Sequence, residues 1–258
     1  MQVQIFQDSL ALYRAAAEEF RRQAKLAVKA RGAFSVALSG GSTPRGMYAQ
    51  LAEDTERRKS VPWEKIRFFW GDERAVPPDH LESNYRMAWD ELLAKVPVPQ
   101  CNIHRIHGEK RDASEVAEEY ERTLRMRFPG DNRPRFDLVL LGLGSDGHTA
   151  SLFPGSPALS EETRWVVANP VKKLGTHRIT LTVPVLNNAA CVLFMVSGAD
   201  KAAALQEVLE GRHEPERLPA QLIRPPKGRL MWFADAAASR LLNISGGAHR
   251  EAQSRIPV

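Results

Sequence analysis

The sequence predicts an α/β fold organised around a mainly parallel sheet. Short apolar runs of strand length alternate with longer amphipathic stretches along the 258-residue chain, which is the pattern of successive βαβ units. Residues 136–141 are apolar apart from Asp137, as expected of a parallel strand that is buried on both faces. No repeat, low-complexity block or linker divides the chain. We therefore expect one domain over residues 1–258, with a loosely held tail from Ser245.

The order of the elements follows from apolar spacing and from residues that end helices. Apolar residues recur three and four positions apart over residues 9–29, which predicts a helix, and Gly32 follows as a stop. Strands are predicted at 33–38, 65–70, 103–106, 136–141, 165–168, 178–183, 191–196 and 230–233. Further helices are predicted to begin near Pro44 and to cover 83–93, 113–128, 201–209 and 235–242.

Composition narrows the class of protein. A hydrophobic fraction of 43% with 26% charged residues is typical of a globular protein with a solvated surface. No run approaches the roughly 18 apolar residues that span a bilayer, and the N-terminus lacks the pattern of a secretory signal. The two cysteines, Cys101 and Cys191, do not suggest a disulfide scaffold, so we expect a reducing, cytoplasmic location.

The charge distribution argues against nucleic acid as a partner. The net charge is +5, but Lys and Arg are scattered and acidic residues interleave with them, as between Glu115 and Arg122. A nucleic-acid surface needs a concentrated basic stripe, and none is present. We expect neither nucleic acid nor a membrane as a partner, and the positive excess weakly favours a small anionic substrate.

The first candidate site is the turn after the strand at 33–38. Its residues are Ser39, Gly40, Gly41, Ser42, Thr43 and Pro44. Two glycines allow the backbone to approach a ligand closely, and the N-terminus of the next helix offers free N–H groups to a phosphate. An ordinary capped turn between a strand and a helix would look the same, so both interpretations remain open.

The most informative segment follows the strand at 136–141. Three spaced glycines surround Asp146 and His148, which lie two residues apart in the predicted turn. Such a turn can present an imidazole in the cleft beyond the carboxyl ends of the strands, where an adjacent carboxylate holds its tautomer. The alternative is a loop histidine without a role, which the coincidence of glycines, carboxylate and strand end disfavours.

Three cations and two carboxylates complete the candidate set. Asp72, Glu73 and Arg74 follow the strand at 65–70, either as a surface turn with a salt bridge or with Arg74 in the cleft as an anion or oxyanion ligand. Arg178 and Lys201 lie at other strand ends, where they could clamp a phosphate together. Each of these two cations, taken alone, is more often a solvated surface charge.

Several other site types are poorly supported. His104 and His107 are three residues apart, but no cysteine or carboxylate accompanies them at metal-ligand spacing. No Gly-x-Ser-x-Gly sequence is present for a serine nucleophile. The glycines at 142, 144 and 147 resemble a dinucleotide-binding turn only loosely, since spaced glycines alone are a weak signal for that site.

Taken together, these segments resemble the 6-phosphogluconolactonase family. The resemblance covers residues 5–242 and is carried by the segments at 39–44, 70–74 and 142–154, with support from 102–106, 178–182 and 228–233. It implies a Rossmann-like three-layer α/β/α sandwich that hydrolyses 6-phospho-D-glucono-1,5-lactone in the oxidative pentose phosphate pathway. No cofactor is expected, and the protein would act as a monomer or a weak homo-oligomer on a small phosphorylated sugar lactone.

On chemical grounds, the expected site then divides into a catalytic and a binding part. His148 would be the general base that activates water, oriented by Asp146, and Arg74 would stabilise the oxyanion. The substrate and its phosphate would be bound by Gly40, Gly41, Ser42, Thr43, Asp72, Arg178 and Lys201.

Two alternatives remain to be distinguished. Glucosamine-6-phosphate deaminases share the glycine-rich turn and the Asp-Gly-His pattern, but they carry a glutamate where this sequence has Phe153, and Arg74 replaces an expected tyrosine. A sugar-phosphate sensor of a transcription regulator would need a DNA-binding domain, for which no residues remain.

Overall fold

The fold is described from a computed structural model. It describes residues 1–53, 55–130, 132–171 and 175–243, except for the side chains of Glu56 and Arg57. The predicted loose tail from Ser245 lies outside the described residues.

Nine strands and eight helices make up the described part of the chain. The strands are β1 Gln2–Phe6, β2 Phe34–Leu38, β3 Ile66–Trp70, β4 Asp72–Arg74, β5 Leu138–Leu141, β6 Val166–Val171, β7 Thr176–Leu181, β8 Cys191–Val196 and β9 Arg229–Asp235. The helices are α1 Ser9–Arg31, α2 Ser42–Glu53, α3 Thr55–Lys59, α4 Asn84–Glu91, α5 Ala113–Arg127, α6 Val183–Asn187, α7 Ala202–Glu210 and α8 Ala236–Ser239.

Six strands form one fully parallel sheet. Their order is β1-β9-β8-β5-β2-β3, and every neighbouring pair is parallel. Helices flank this sheet, which confirms the predicted Rossmann-like α/β fold. The central strands β2, β5 and β8 are buried along their whole length, as the apolar run at 136–141 predicts.

The first helix shows how local sequence defines the elements. Asp8 accepts a hydrogen bond from the N–H of Ala11 at 2.7 Å, which caps the start of α1. Gly32 ends the helix in the left-handed region with φ of 77°, as its position predicts. The apolar stripe of α1 includes Phe20, which is fully buried and packs edge to face with Phe34, with ring centroids 5.4 Å apart.

A second sheet departs from the prediction. Strands β4, β7 and β6 form a separate antiparallel sheet, so the segments predicted at 165–168 and 178–183 do not join the main sheet. The strand expected at 103–106 is reduced to one bridge between Ile103 and Phe68. The helix expected at 235–242 shrinks to α8, and strands β1 and β4 were not predicted.

Two buried tyrosines hold the carboxyl ends of neighbouring strands. The Tyr48 hydroxyl accepts from the N–H of Ser39 at 3.1 Å and donates to its carbonyl at 2.9 Å, just beyond β2. The Tyr120 hydroxyl does the same for Trp70 at the end of β3, at 2.8 and 3.0 Å. Burial raises the pKa of both hydroxyls, so they stay protonated and able to donate.

The described residues contain no helix that is long and apolar enough to cross a membrane.

Candidate active site

A cavity of about 200 Å³ lies beyond the carboxyl ends of β2, β5 and β8. These strands are adjacent in the sheet, so the loops that follow them converge on one crevice. The β2 loop contributes residues 39–44, the β5 loop 142–144 and 148–150, and the end of β8 with its loop 195–197 and Lys201. Asp72 and Arg74 of β4 and Asn84 of α4 complete the lining.

The glycine-rich turn lies at this cavity, as its sequence predicts. Helix α2 begins at Ser42, two residues before Pro44, and Gly41 has φ of 100°, which favours glycine. A side chain at Gly40 would place its Cβ 1.9 Å from Oδ1 of Asn84. The first turn of α2 therefore lines the crevice, and the N-terminus of a helix is a site type that can bind an anion.

The turn after β5 presents His148 in the same cavity. Gly144 donates its N–H to the carbonyl of His148 at 2.8 Å, and Gly147 adopts φ of 80° between them. A Cβ at Gly144 would lie 2.1 Å from Nδ1 of His148, so only glycine leaves room for the ring. The hydroxyl of Thr149 donates to the carbonyl of Gly142 at 2.9 Å, which closes the turn.

Asp146 determines the proton arrangement of the imidazole. Its Oδ1 lies 2.5 Å from Nδ1 of His148, and this hydrogen bond lowers the pKa of Asp146 to about 2. An ionised carboxylate only accepts hydrogen bonds, so Nδ1 of His148 carries the proton and Nε2 of the neutral ring is free to accept one. The ring of Phe153 packs beside the imidazole, with centroids 4.7 Å apart.

The two carboxylates of β4 have different surroundings. Asp72 lines the cavity and accepts a hydrogen bond from the Ser151 hydroxyl at 2.7 Å. Glu73 does not line the cavity, and its carboxylate accepts the N–H groups of Arg74, Asn84 and Tyr85, each at 2.8 Å. Burial raises the pKa of Glu73. Glu73 therefore joins β4 to the start of α4 and does not face the substrate space.

The three predicted cations are not equivalent in position. Arg74 lines the cavity, and its guanidinium donates to the carbonyl of Glu82. Lys201 also lines the cavity, with Nζ 3.1 Å from the carboxylate of Asp200. Arg178 does not line the cavity; it pairs with Arg74 in the register of β4 and β7. Burial, together with the charge of Arg74, lowers the pKa of Arg178.

Sequence reasoning missed three groups at the site. Asn84 donates from Nδ2 to the backbone carbonyl of Asp72 at 2.9 Å and lines the cavity. Ser197 lines it after β8, and the buried Ser151 holds Asp72. A serine cap before a helix predicts where Asn84 lies, but no local pattern predicts that its side chain turns to the crevice. Within the described ranges, no group of three or more His, Cys, Asp or Glu side chains could hold a metal ion.

Comparison with known proteins places this geometry in a family. A sequence profile described as glucosamine-6-phosphate isomerases/6-phosphogluconolactonase matches residues 7–232, which is most of the chain. The chain belongs to this family.

Similar relatives of the family are named as lactonases. A 6-phosphogluconolactonase of Synechocystis is 44% identical over 218 residues, covering 84% of this chain and 88% of the relative. The human 6-phosphogluconolactonase is 40% identical over 221 residues, covering 85% of each. A solved 6-phosphogluconolactonase from Trypanosoma cruzi superposes with a TM-score of 0.80 at 30% identity, covering 94% of this chain and 97% of that one.

The family also includes glucosamine-6-phosphate isomerases, and the fold alone does not separate them from the lactonases. A monomeric glucosamine-6-phosphate deaminase superposes with a TM-score of 0.78, but at 22% identity it shares only the architecture. In this chain the apolar ring of Phe153 packs on the imidazole of His148 in the turn after β5. The site in this member of the family thus has a histidine–carboxylate pair without a second acid beside it at that position.

Proposed function

We propose that this protein hydrolyses 6-phospho-D-glucono-1,5-lactone to 6-phospho-D-gluconate, a step of the oxidative pentose phosphate pathway. The observation that carries the proposal is that His148, held by Asp146 at 2.5 Å, lines the cavity that also receives the first turn of α2. His148 can activate water, and the N-terminus of α2 can hold a phosphate. The lactonase names of the similar relatives agree with this chemistry.

His148 supplies the base and then the acid. Its free Nε2 removes a proton from water as the water oxygen attacks the lactone carbonyl carbon, forming a tetrahedral oxyanion. The charged imidazolium is stabilised by Asp146 through Nδ1. When the bond between the carbonyl carbon and the ring oxygen breaks, the imidazolium returns the proton to that oxygen. The products are a hydroxyl and a carboxylic acid, which ionises in solution.

Arg74 is the cation proposed to stabilise the oxyanion. It lines the same cavity as His148, and its guanidinium is held by the carbonyl of Glu82. A fixed guanidinium stabilises developing negative charge without reorganising, and mutagenesis places the value of one such donor at roughly 3–4 kcal/mol. Arg74 is thus assigned to the carbonyl of the lactone, and the other two cations, Arg178 and Lys201, are assigned to the phosphate.

The phosphate is proposed to bind the turn formed by Gly40, Gly41, Ser42 and Thr43, with Lys201 closing over it. Both groups line the cavity, and the ammonium of Lys201 offers a point charge to an anion. Arg178 contributes from beside Arg74 by its charge. Asp72, Glu82 and Glu73 act electrostatically on Arg178, so they offset part of its field at an anionic ligand.

Asp72 suits a different part of the substrate. An ionised carboxylate repels a phosphate but accepts hydrogen bonds from hydroxyl groups. Asp72 is therefore better suited to the sugar hydroxyls of the substrate than to its phosphate. Two donors, the Ser151 hydroxyl and the Asn84 amide, already hold Asp72 at 2.7 and 3.3 Å. We propose that the remaining acceptor positions of Asp72 bind sugar hydroxyls.

A coupled assay with freshly generated lactone tests the proposal. Hydrolysis is followed through oxidation of the 6-phosphogluconate formed, with the spontaneous rate measured in parallel and subtracted. We expect turnover well above that background, and no ammonia release from glucosamine 6-phosphate. A lactone rate equal to the spontaneous rate would reject the proposed function, and ammonia release would support the deaminase.

A further inference from the structure

The turn that carries Lys201 is a short helical turn, in which the ammonium of Lys201 also pairs with Asp200 at 3.1 Å. It follows β8 through Ser197 and Gly198, and Gly198 has φ of 103°. The N–H of Lys201 donates to the carbonyl of Gly198 at 3.1 Å, so the backbone direction of the lysine depends on where Gly198 lies. Ser197 and Lys201 both line the cavity, and this turn is therefore part of its wall.

A buried carboxylate from the next strand holds this turn. Asp235 ends β9, is 4% exposed, and does not itself line the cavity. Its Oδ2 accepts the Ser197 hydroxyl at 2.5 Å, and both of its oxygens lie 3.2 Å from the N–H of Gly198. Its Oδ1 also accepts the N–H of Ala238 at 2.7 Å, which caps α8.

We propose that Asp235 is a positioning residue for anion binding, which places Lys201 over the substrate phosphate by fixing the turn of Ser197 and Gly198. The inference rests on the proposed function, because it assigns Lys201 to the phosphate. Asp235 touches neither substrate nor reacting atoms, and its effect passes through the backbone.

The physical basis is the flexibility of lysine. A lysine side chain has four rotatable carbons, and holding it in one position costs conformational entropy that an ordered backbone partly removes in advance. β8 and β9 are paired along their length, with Val196 opposite Ala234, so Asp235 lies directly beside the turn. The Asp235 carboxylate connects the turn after β8 to the end of β9. Such a bond to a neighbouring strand holds the turn more firmly than contacts among residues 197–201 alone.

The alternative role for Asp235 is to cap α8. Two variants distinguish this role from positioning of the Ser197 turn, because the two carboxylate oxygens have different partners. In Asp235→Asn, the one remaining oxygen can keep the bond to Ala238 N–H, while the amide NH₂ faces the N–H of Gly198. Ser197→Ala removes the hydroxyl bond and leaves the cap intact. A pure capping role would make the second change silent for ligand binding.

The test measures the dissociation constant of 6-phosphogluconate by calorimetry, and KM and kcat of the lactone, for wild type, Asp235→Asn, Ser197→Ala and Lys201→Met. Asp112→Asn is the matched control, because Asp112 caps α5 outside the cavity by accepting from Ser114 N–H at 2.8 Å. We expect both turn variants to weaken binding and raise KM about threefold to tenfold, with kcat within about twofold, and the control to match wild type.

The double variant Lys201→Met with Asp235→Asn should bind no more weakly than Lys201→Met alone, since the positioning has nothing left to position. Unchanged binding in Ser197→Ala, or full additivity in the double variant, would overturn the inference. If Asp235→Asn does not fold, the double variant Ser197→Ala with Lys201→Met takes its place, since a direct contact of Ser197 with the ligand would add to the loss of Lys201 and positioning would not. A wild type that binds 6-phosphogluconate without hydrolysing the lactone rejects only the proposed function, whereas failure to bind it rejects the inference.

Discussion

Replacement of His148 by alanine isolates the contribution of the base. The free Nε2 of this ring is the group proposed to take the proton from water, because Nδ1 is held by Asp146 at 2.5 Å. General-base catalysis contributes roughly a hundred- to ten-thousandfold, so we expect kcat/KM of His148→Ala to fall by that factor. In free energy this is about 3–5 kcal/mol of transition-state stabilisation.

The fold should barely respond to this change. The side chains of His148 and Asp146 are 31% and 51% exposed, and ion pairs at such surfaces contribute at most about 1 kcal/mol to stability. His107→Ala provides a matched control, since its Nδ1 lies 2.8 Å from Glu119 and its side chain is 39% exposed, away from the cavity. That control should retain wild-type kcat/KM.

The measurement is the initial rate of lactone hydrolysis in the coupled assay near neutral pH. The pKa of Asp146 is about 2, so this carboxylate stays ionised throughout any practical range, and its titration does not complicate the comparison. Melting temperatures of both variants confirm that each protein is folded. A His148→Ala enzyme with kcat/KM within threefold of wild type would refute the assignment of the base.

Three further changes test other parts of the structure. Gly144→Ala should lower kcat strongly, since its Cβ would lie 2.1 Å from Nδ1 of His148. Gly142→Ala is the control and should stay active, because its Cβ would have no atom within 4 Å. Equal activity of the two variants would contradict the geometry of the turn. Arg178→Ala should raise KM through the loss of a positive charge beside the cavity, and an unchanged KM would show that Arg178 takes no part in phosphate binding. Burial lowers the pKa of His104 to about 4, while the unfolded chain takes up this proton near 6.5. The free energy of unfolding should therefore be highest above pH 6.5 and fall by up to about 3 kcal/mol toward pH 4. In denaturant titrations His104→Phe should lose this part of the pH dependence, and a slope equal to wild type would exclude His104 as its source.

The sequence predicts well those elements whose own residues show a regular apolar pattern. Strands β2, β5 and β8 are buried on both faces, so their apolar runs are continuous, and helix α1 repeats its apolar face for six turns before a glycine. The loops after these strands therefore predict where the cavity lies. The proximity of Asp146 and His148 follows from their spacing in one turn.

The elements that were missed depend on contacts between distant residues. Strand β4 has three residues, too few for any periodicity, and it exists because β7 pairs with it from far along the chain. That pairing places Arg178 opposite Arg74 in a second sheet, which no local pattern indicates. The carboxylate of Asp235 reaches Ser197 across 38 residues, so only the folded backbone reveals it. The segment at 103–106 has apolar character but only one bridging partner.

The two tyrosine hydroxyls at the ends of β2 and β3 also set an alkaline limit for the protein. Each must keep its proton to donate to a carbonyl, and burial raises its pKa in the folded state. In the unfolded chain a tyrosine ionises near pH 10, so the stability that these groups provide is complete below that pH and is lost as the pH rises above it. Because Tyr48 bonds to Ser39 beside the glycine-rich turn, catalytic capacity and structural integrity should disappear together in strong base, even though neither phenol meets the substrate.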